Sequence, residues 1–138
     1  MNDYAPGAGE PRRVLVTGAT GLIGRGVSRE LGARGWSVVA LGRRPEDRPR
    51  WDPGRGTLDP ADLEGFDALI HLAGASIAGR FTPGRRRAIR ESRVAGTRLL
   101  SESLARVRTP PRVLLSASAI GFYGDRGEET LDETSGRG

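Results

Sequence analysis

Three glycines at regular spacing, Gly18, Gly21 and Gly24, stand between an apolar run and an amphipathic one. The run before them, Arg13-Val14-Leu15-Val16-Thr17, is short and β-branched, the pattern of a buried strand. After them, Gly21 to Ala33 places Leu22, Ile23, Val27 and Leu31 at helical spacing, with Gly32 and Gly35 marking the helix end. In that setting each glycine has a task. Gly18 permits the tight turn, Gly21 lets the backbone approach a pyrophosphate, and Gly24 lets helix and strand pack closely. The helix start adds unpaired N–H groups and the positive end of a dipole. The chemistry indicated is dinucleotide binding. In a chain with 21 Gly the spacing alone would fit a purely structural turn, and the strand-glycine-helix order is what favours a ligand.

Cofactor choice is set at the end of the second strand, here Ser37-Val38-Val39-Ala40-Leu41. An acid there would bind the ribose hydroxyls of NAD. This chain offers Gly42-Arg43-Arg44, with no acid before Glu46. Two guanidiniums suit a 2′-phosphate by charge and by bidentate geometry. NADP is therefore expected over NAD; the alternative is that one or both Arg point to water.

Composition removes other chemistries. All 22 basic residues are Arg, against 17 Asp and Glu, for a net charge of +5. The absence of Lys excludes Schiff-base chemistry and a P-loop lysine. The absence of Cys excludes disulfides and thiolate sites, and with His71 as the one histidine no metal centre is expected. Residues 80–112 carry 10 Arg against Glu91 and Glu102, including Arg85-Arg86-Arg87. Without aromatic interleaving this reads as the solvated face of a helix in preference to a nucleic-acid footprint. The longest apolar runs, such as Ala68 to Ala73, are too short to cross a bilayer, and no signal-like segment opens the chain, so a soluble cytoplasmic protein is expected.

The elements that must position these residues follow from the remaining pattern. Residues 1–11 read as a loose tail and 12–138 as one domain. Between Arg43 and Pro60 the chain is rich in Pro, Gly and charge, so a third strand must be brief, around Thr57-Leu58. Asp67-Ala68-Leu69-Ile70-His71-Leu72 is a fourth strand and Arg112-Val113-Leu114-Leu115-Ser116 a fifth. A helix from about Gly84 to Val107 separates them, with Ile89, Gly96, Leu99, Leu100, Ser103 and Val107 on its inner side. Pro110-Pro111 ends it. Strands apolar throughout, alternating with helices, predict an α/β fold: a Rossmann-like doubly wound parallel sheet of order 3-2-1-4-5.

Thr17-Gly18-Ala19-Thr20-Gly21-Leu22-Ile23-Gly24 resembles the glycine motif of the NAD-dependent epimerase/dehydratase family, the extended short-chain dehydrogenase/reductases. Asp67 to Gly74 is similar to that family's fourth strand, and Ser116-Ala117-Ser118 with Gly121-Phe122-Tyr123-Gly124 to its fifth-strand serine motif. Trp51-Asp52-Pro53, Leu72 to Ile77, Glu91-Ser92-Arg93 with Thr97, and Ser118 to Asp125 resemble a narrower, divergent subgroup of sugar-nucleotide-epimerase-like proteins. The resemblance runs from about Arg13 to Glu133. It implies that Gly18, Thr20, Gly21, Leu22 and Ile23, on the Gly24-containing helix start, meet the cofactor phosphates. Arg43 and Arg44 would meet the adenosine end, and Leu72, Ala73 and Gly74 the adenine and ribose. Ser118 would polarise the reacting oxygen, with Ser116 as the fallback because one extra residue separates Ser118 from Tyr123-Gly124.

The pattern is also departed from. The family's Tyr is followed four positions later by Lys, whereas Tyr123 is followed by Gly127. Arg93 stands where the wider family often has Asn. The resemblance implies that the later strands, the catalytic Tyr and the C-terminal substrate region are missing, so the chain is expected to be an N-terminal fragment with an exposed apolar sheet edge. The partner implied is a small-molecule substrate, a sugar nucleotide, and a homodimer stays open. The alternative is a dinucleotide-dependent sensor without turnover. His71 reads as a hydrogen-bonded core residue, the acidic run from Asp125 to Glu133 as an exposed loop, and Trp51 as either an adenine stack or a loop anchor.

Overall fold

A computed structural model describes residues 12–138; the expected tail, residues 1–11, lies outside the described residues. The elements in chain order are β1 (Arg13–Thr17), α1 (Leu22–Ala33), β2 (Ser37–Leu41), β3 (Trp51–Asp52), β4 (Thr57–Leu58), β5 (Ala68–His71), α2 (Pro83–Leu104) and β6 (Val113–Ser116). Short 3-10 turns at Pro60–Leu63 and Ile120–Phe122 complete them.

Four parallel strands form the main sheet in the order β2-β1-β5-β6. Val14, Leu15, Val16 and Thr17 of β1 are all buried, as befits a strand with a neighbour on each side and cover above and below. The strand starts are aligned by Asp67, whose carboxylate accepts from Arg13 N at 2.8 Å while its carbonyl accepts from Arg112 N at 3.0 Å.

The expected order 3-2-1-4-5 needs one correction. The third strand does not join the sheet. Thr57–Leu58 is extended as anticipated, but it pairs antiparallel with Trp51–Asp52 in a separate hairpin. Beyond β2 the chain makes one isolated parallel bridge, Gly42 to Arg50, and then turns away. The reason is chemical: Pro45, Pro49, Pro53 and Pro60 each lack the N–H that a strand needs, and Asp52 closes a turn by accepting from Gly54 N and Arg55 N.

The core lies on one face of the sheet. Leu15, Leu41, Trp51, Leu63, Phe66, Leu69, Leu100 and Val107 form it, with Trp51 and Leu63 from the 51–63 segment filling space between strands and α2. The inner side of α2 is as expected, with Gly96, Leu100 and Ser103 buried. Thr82 caps its start by accepting from Arg85 N at 3.2 Å, and Pro83 occupies the first turn. Past its end, the Glu64 carboxylate accepts from Arg108 N (2.8 Å) and Thr109 N (3.1 Å), tying the chain down before Pro110.

The opposite face is covered by α1. Gly35, at φ +80°, closes this helix by letting Trp36 N reach Leu31 O and Gly35 N reach Gly32 O. Val14 and Val16 are buried under α1, but β6 is left open, with Val113, Leu114 and Leu115 about half exposed. No helix among the described residues is long and apolar enough to cross a membrane.

Candidate functional site

The three glycines form one close-packed unit. Gly18 takes φ +69°, a conformation that favours glycine, and a Cβ there would stand 2.9 Å from Ala73 N and from the Leu72 carbonyl carbon. Gly24 is buried, and its Cβ would stand 2.1 Å from Gly18 O, which places the first turn of α1 directly on the loop. Gly21 is the N-cap residue of α1, and its N–H bonds Gly18 O at 3.0 Å. No side chain caps this helix and no acid lies in its first turn. The positive end of α1 is therefore open to an anion at the carboxyl edge of β1. Leu22 and Ile23 lie here with their side chains largely exposed, and the Thr20 carbonyl accepts from Arg25 Nη1 at 3.0 Å.

Behind the loop is a polar chain, buried at Thr17 and His71 and ending at the exposed Thr97, that sequence reasoning did not find. Thr17 Oγ1 accepts from Leu72 N and Ala73 N, both at 3.1 Å, and lies 2.7 Å from His71 Nδ1. With both lone pairs of Thr17 taken, its O–H must donate to Nδ1. The His71 proton then resides on Nε2, which donates to Thr97 Oγ1 at 3.2 Å. Burial lowers the His71 pKa from its ordinary value, consistent with a neutral ring. Trp51 meets His71 edge to face at 5.8 Å between ring centres, and its ring lies 3.3 Å from where a Gly96 Cβ would be. Of its two expected roles, Trp51 takes that of anchor. His71 is a hydrogen-bonded core residue, as read from the sequence. Thr17 and Thr97 stood in the sequence only as members of the glycine motif and of the subgroup motif, with nothing to pair either with His71.

Leu72 and Ala73 are thus brought against the glycine loop, and Gly74 lies against Arg93. The next residues are held from α2: Ser92 Oγ accepts from Ala75 N at 2.9 Å and donates to Ile89 O at 2.9 Å. Arg93 Nη1 donates to Ala75 O and Ile89 O, both at 3.2 Å. The Arg85 guanidinium folds onto the carbonyls of Ser76 and Ala78, so this member of the basic run is a loop clamp and not part of a free charged face.

At the end of β2, Arg43 and Arg44 are exposed. Between them and the strand lies an acid that the sequence placed too far away. Asp47 folds back so that its Oδ2 accepts from Arg44 N at 2.7 Å and occupies the space a Gly42 side chain would fill. Ser116 ends β6 in register with His71, and Ser118 lies two residues beyond, exposed, before the Ile120–Phe122 turn. The acidic run is an exposed loop closed on itself: Arg126 pairs with Glu129, and Asp132 accepts from Thr134, whose hydroxyl holds that carboxyl below its ordinary range.

The sequence pattern of the NAD dependent epimerase/dehydratase family matches residues 14–138. The chain belongs to this family. A family relative, epimerase family protein Mb2239 of Mycobacterium bovis, is 33% identical over 129 residues, covering 91% of this chain and 42% of that protein. The nucleoside-diphosphate sugar epimerase of Corynebacterium glutamicum superposes with a TM-score of 0.72 at 40% identity, covering 94% of this chain and 27% of that one. Human epimerase family protein SDR39U1 (isoform 2), solved with NADPH, has a TM-score of 0.77 at 28% identity, covering 91% and 42%. MoeE5, solved with UDP-glucuronic acid and NAD, has a TM-score of 0.70 at 26% identity, covering 91% and 42%. The chain therefore spans less than half the length of the relatives it matches. This epimerase-family chain contains no Lys, so the Tyr/Lys pair of the wider family is not among its residues.

Proposed function

We propose that residues 12–138 form the NADP-binding unit of an epimerase or oxidoreductase acting on a sugar nucleotide in the cytoplasm. The observation that carries this reading is the Gly24 contact, which seats an uncapped helix start on the Gly18 turn. A close-packed glycine turn, free N–H groups at the helix start and a favourable dipole are what a pyrophosphate requires. A nicotinamide dinucleotide bound there would supply or accept a hydride at a carbon bearing oxygen.

The chain's own residues bind and orient. Gly18, Thr20, Gly21, Leu22 and Ile23 hold the pyrophosphate, and Gly24 keeps the helix close enough for its N–H groups to reach. Leu72, Ala73 and Gly74, positioned by Thr17, face the adenine and ribose. Arg43 and Arg44 take the 2′-phosphate, and the turn that Asp47 closes keeps the two Arg together. Ser118 donates to the substrate oxygen. The NADPH bound by the human relative and the UDP-sugar bound by MoeE5 support this assignment by similarity.

Calorimetry of NADP and NAD against the wild-type chain and Gly21→Asp tests it. Wild type should bind NADP more tightly than NAD, and Gly21→Asp, which adds a carboxylate at the phosphate position, should bind neither. A folded wild-type chain, by circular dichroism, that binds neither nucleotide overturns the reading.

A further inference from the structure

Arg93 is held in an unusual way for an exposed side chain. Its Nη1 is occupied by two backbone carbonyls, Ala75 O and Ile89 O. Its guanidinium lies flat against Gly74, where a Cβ would meet Cζ at 3.1 Å, Nη1 at 3.2 Å and Nη2 at 3.4 Å. A side chain at position 74 would press the guanidinium back by a few tenths of an ångström. The neighbouring Ser92 fixes the same loop through Ala75 N. One helical turn on, Thr97 is bonded to His71 at the end of β5. The guanidinium is therefore pinned above the carboxyl end of a central strand, where open α/β sheets bind their ligands.

The pinning is one-sided. The remaining donors, Nε–H and the two on Nη2, have no partner among the described residues, and none of the ion pairs there involves Arg93. Nε and Nη2 form the side-on fork of the guanidinium, the edge that matches two oxygens of a carboxylate or phosphate. An immobilised fork loses little entropy on binding, because its rotamer is already set by the carbonyls and by Gly74.

We propose that Arg93 is an anion-recognising residue, whose Nε/Nη2 edge takes two oxygens of a phosphate or carboxylate bound over Gly74, in the cleft assigned above to the dinucleotide and its substrate. The inference rests on that reading for the identity of the cleft. Its anion chemistry rests on the fork alone. The oxygens come either from the substrate or from the cofactor pyrophosphate, and the test separates the two.

The experiment follows the Arg Nε–Hε signals of the full 138-residue chain by NMR, with the Arg93 signal assigned by its loss in Arg93→Gln. Inorganic phosphate and acetate are titrated into the free chain and into the chain saturated with NADP. A saturating shift of Arg93, with Arg86 and Arg87 unmoved at the same anion concentration, supports the proposal. If the shift persists when NADP is bound, the oxyanion is the substrate's. If NADP alone shifts Arg93 and phosphate then adds nothing, it is the cofactor's. Arg93→Lys, which keeps the charge but not the fork, should weaken phosphate binding, read by calorimetry, about tenfold. An Arg93 signal unmoved by phosphate, acetate and NADP overturns the proposal, and does so with the dinucleotide reading intact if calorimetry still detects NADP. Failure of NADP to bind, with a phosphate shift at Arg93, would overturn the dinucleotide reading and leave the fork standing.

Discussion

The hydroxyl of Thr17 stands 2.7 Å from Nδ1 of His71 while accepting two backbone N–H groups from Leu72 and Ala73. One side chain thereby ties β1 to the segment that follows β5, directly beneath the turn at Gly18. The arrangement works only with a neutral ring, since a protonated Nδ1 would face the Thr17 hydroxyl as a donor facing a donor. Thr17→Val keeps the shape and removes the hydroxyl. It should cost about 1–3 kcal/mol, because Ala73 N and a ring nitrogen lose their partner, while Leu72 N keeps only the Thr17 carbonyl at 3.2 Å. Thr17→Ser should restore most of this. Urea unfolding of the three proteins measures it, and equal midpoints for all three would show that the hydroxyl is dispensable.

The same ring gives a pH dependence with a definite sign. Burial lowers the folded-state pKa of His71, so below the unfolded value of about 6.5 the unfolded chain binds more protons than the folded one. Stability from this group is present above that pH and is lost as pH falls from about 6.5 toward the depressed folded value. His71→Asn should be less stable near neutrality but lose less on acidification. Unfolding midpoints for both proteins, compared across that window, check the slope; identical slopes would remove His71 as the cause.

Two glycines of α1 separate packing from propensity. Gly24→Ala drives a methyl into Gly18 O, a backbone atom that cannot step aside, and should cost about 1–3 kcal/mol or more and abolish nucleotide binding. Gly26→Ala meets nothing within 4 Å and should stabilise the helix by about 0.4–1 kcal/mol. Thermal melts of the pair measure this, and a stable, nucleotide-binding Gly24→Ala would contradict the close approach.

Trp51 offers a test of the hairpin that replaces a third strand. It is 2% exposed and packed on both His71 and Gly96. Trp51→Ala should cost about 3–5 kcal/mol, enough to unfold a domain of ordinary stability. Trp51→Phe should retain the fold with a smaller loss. Near-ultraviolet circular dichroism distinguishes the two, and native-like packing in Trp51→Ala would mean that the hairpin is not part of the core.

At the end of β2, Arg43→Ala with Arg44→Ala should weaken NADP binding about tenfold or more, by removing charge-assisted hydrogen bonds to a 2′-phosphate, with little change for NAD. Calorimetry with both nucleotides measures the ratio. A proportional loss for both would place the two Arg away from the 2′ position.

Much of this protein is local in origin. The runs Val14-Leu15-Val16, Val38-Val39 and Leu69-Ile70 are apolar on consecutive residues, so they had to be strands covered on both faces, and the glycine spacing between β1 and α1 marked the phosphate end of the sheet. Family membership was legible from the same residues, because it lies in motifs that are contiguous in the chain. What lay out of reach was every relationship across long separations. Thr17 and His71 are 54 residues apart, and His71 and Thr97 are 26 apart, with no pattern in the chain to connect them. Arg93 stood out in the sequence only as the residue where the wider family often has Asn, and its contact with Gly74 came from tertiary packing. Asp47 lay beyond the expected position for a β2 acid, yet a turn of Pro-rich chain returns it to Gly42. The third strand failed for a related reason: extended residues exist at Thr57–Leu58, but strand partners are chosen by the path of the whole loop, and four prolines send that path back on itself. Local sequence set where strands and helices form, since those depend on neighbouring side chains and backbone freedom. Which hydroxyl, ring and guanidinium meet at the carboxyl edge was decided only when the sheet closed.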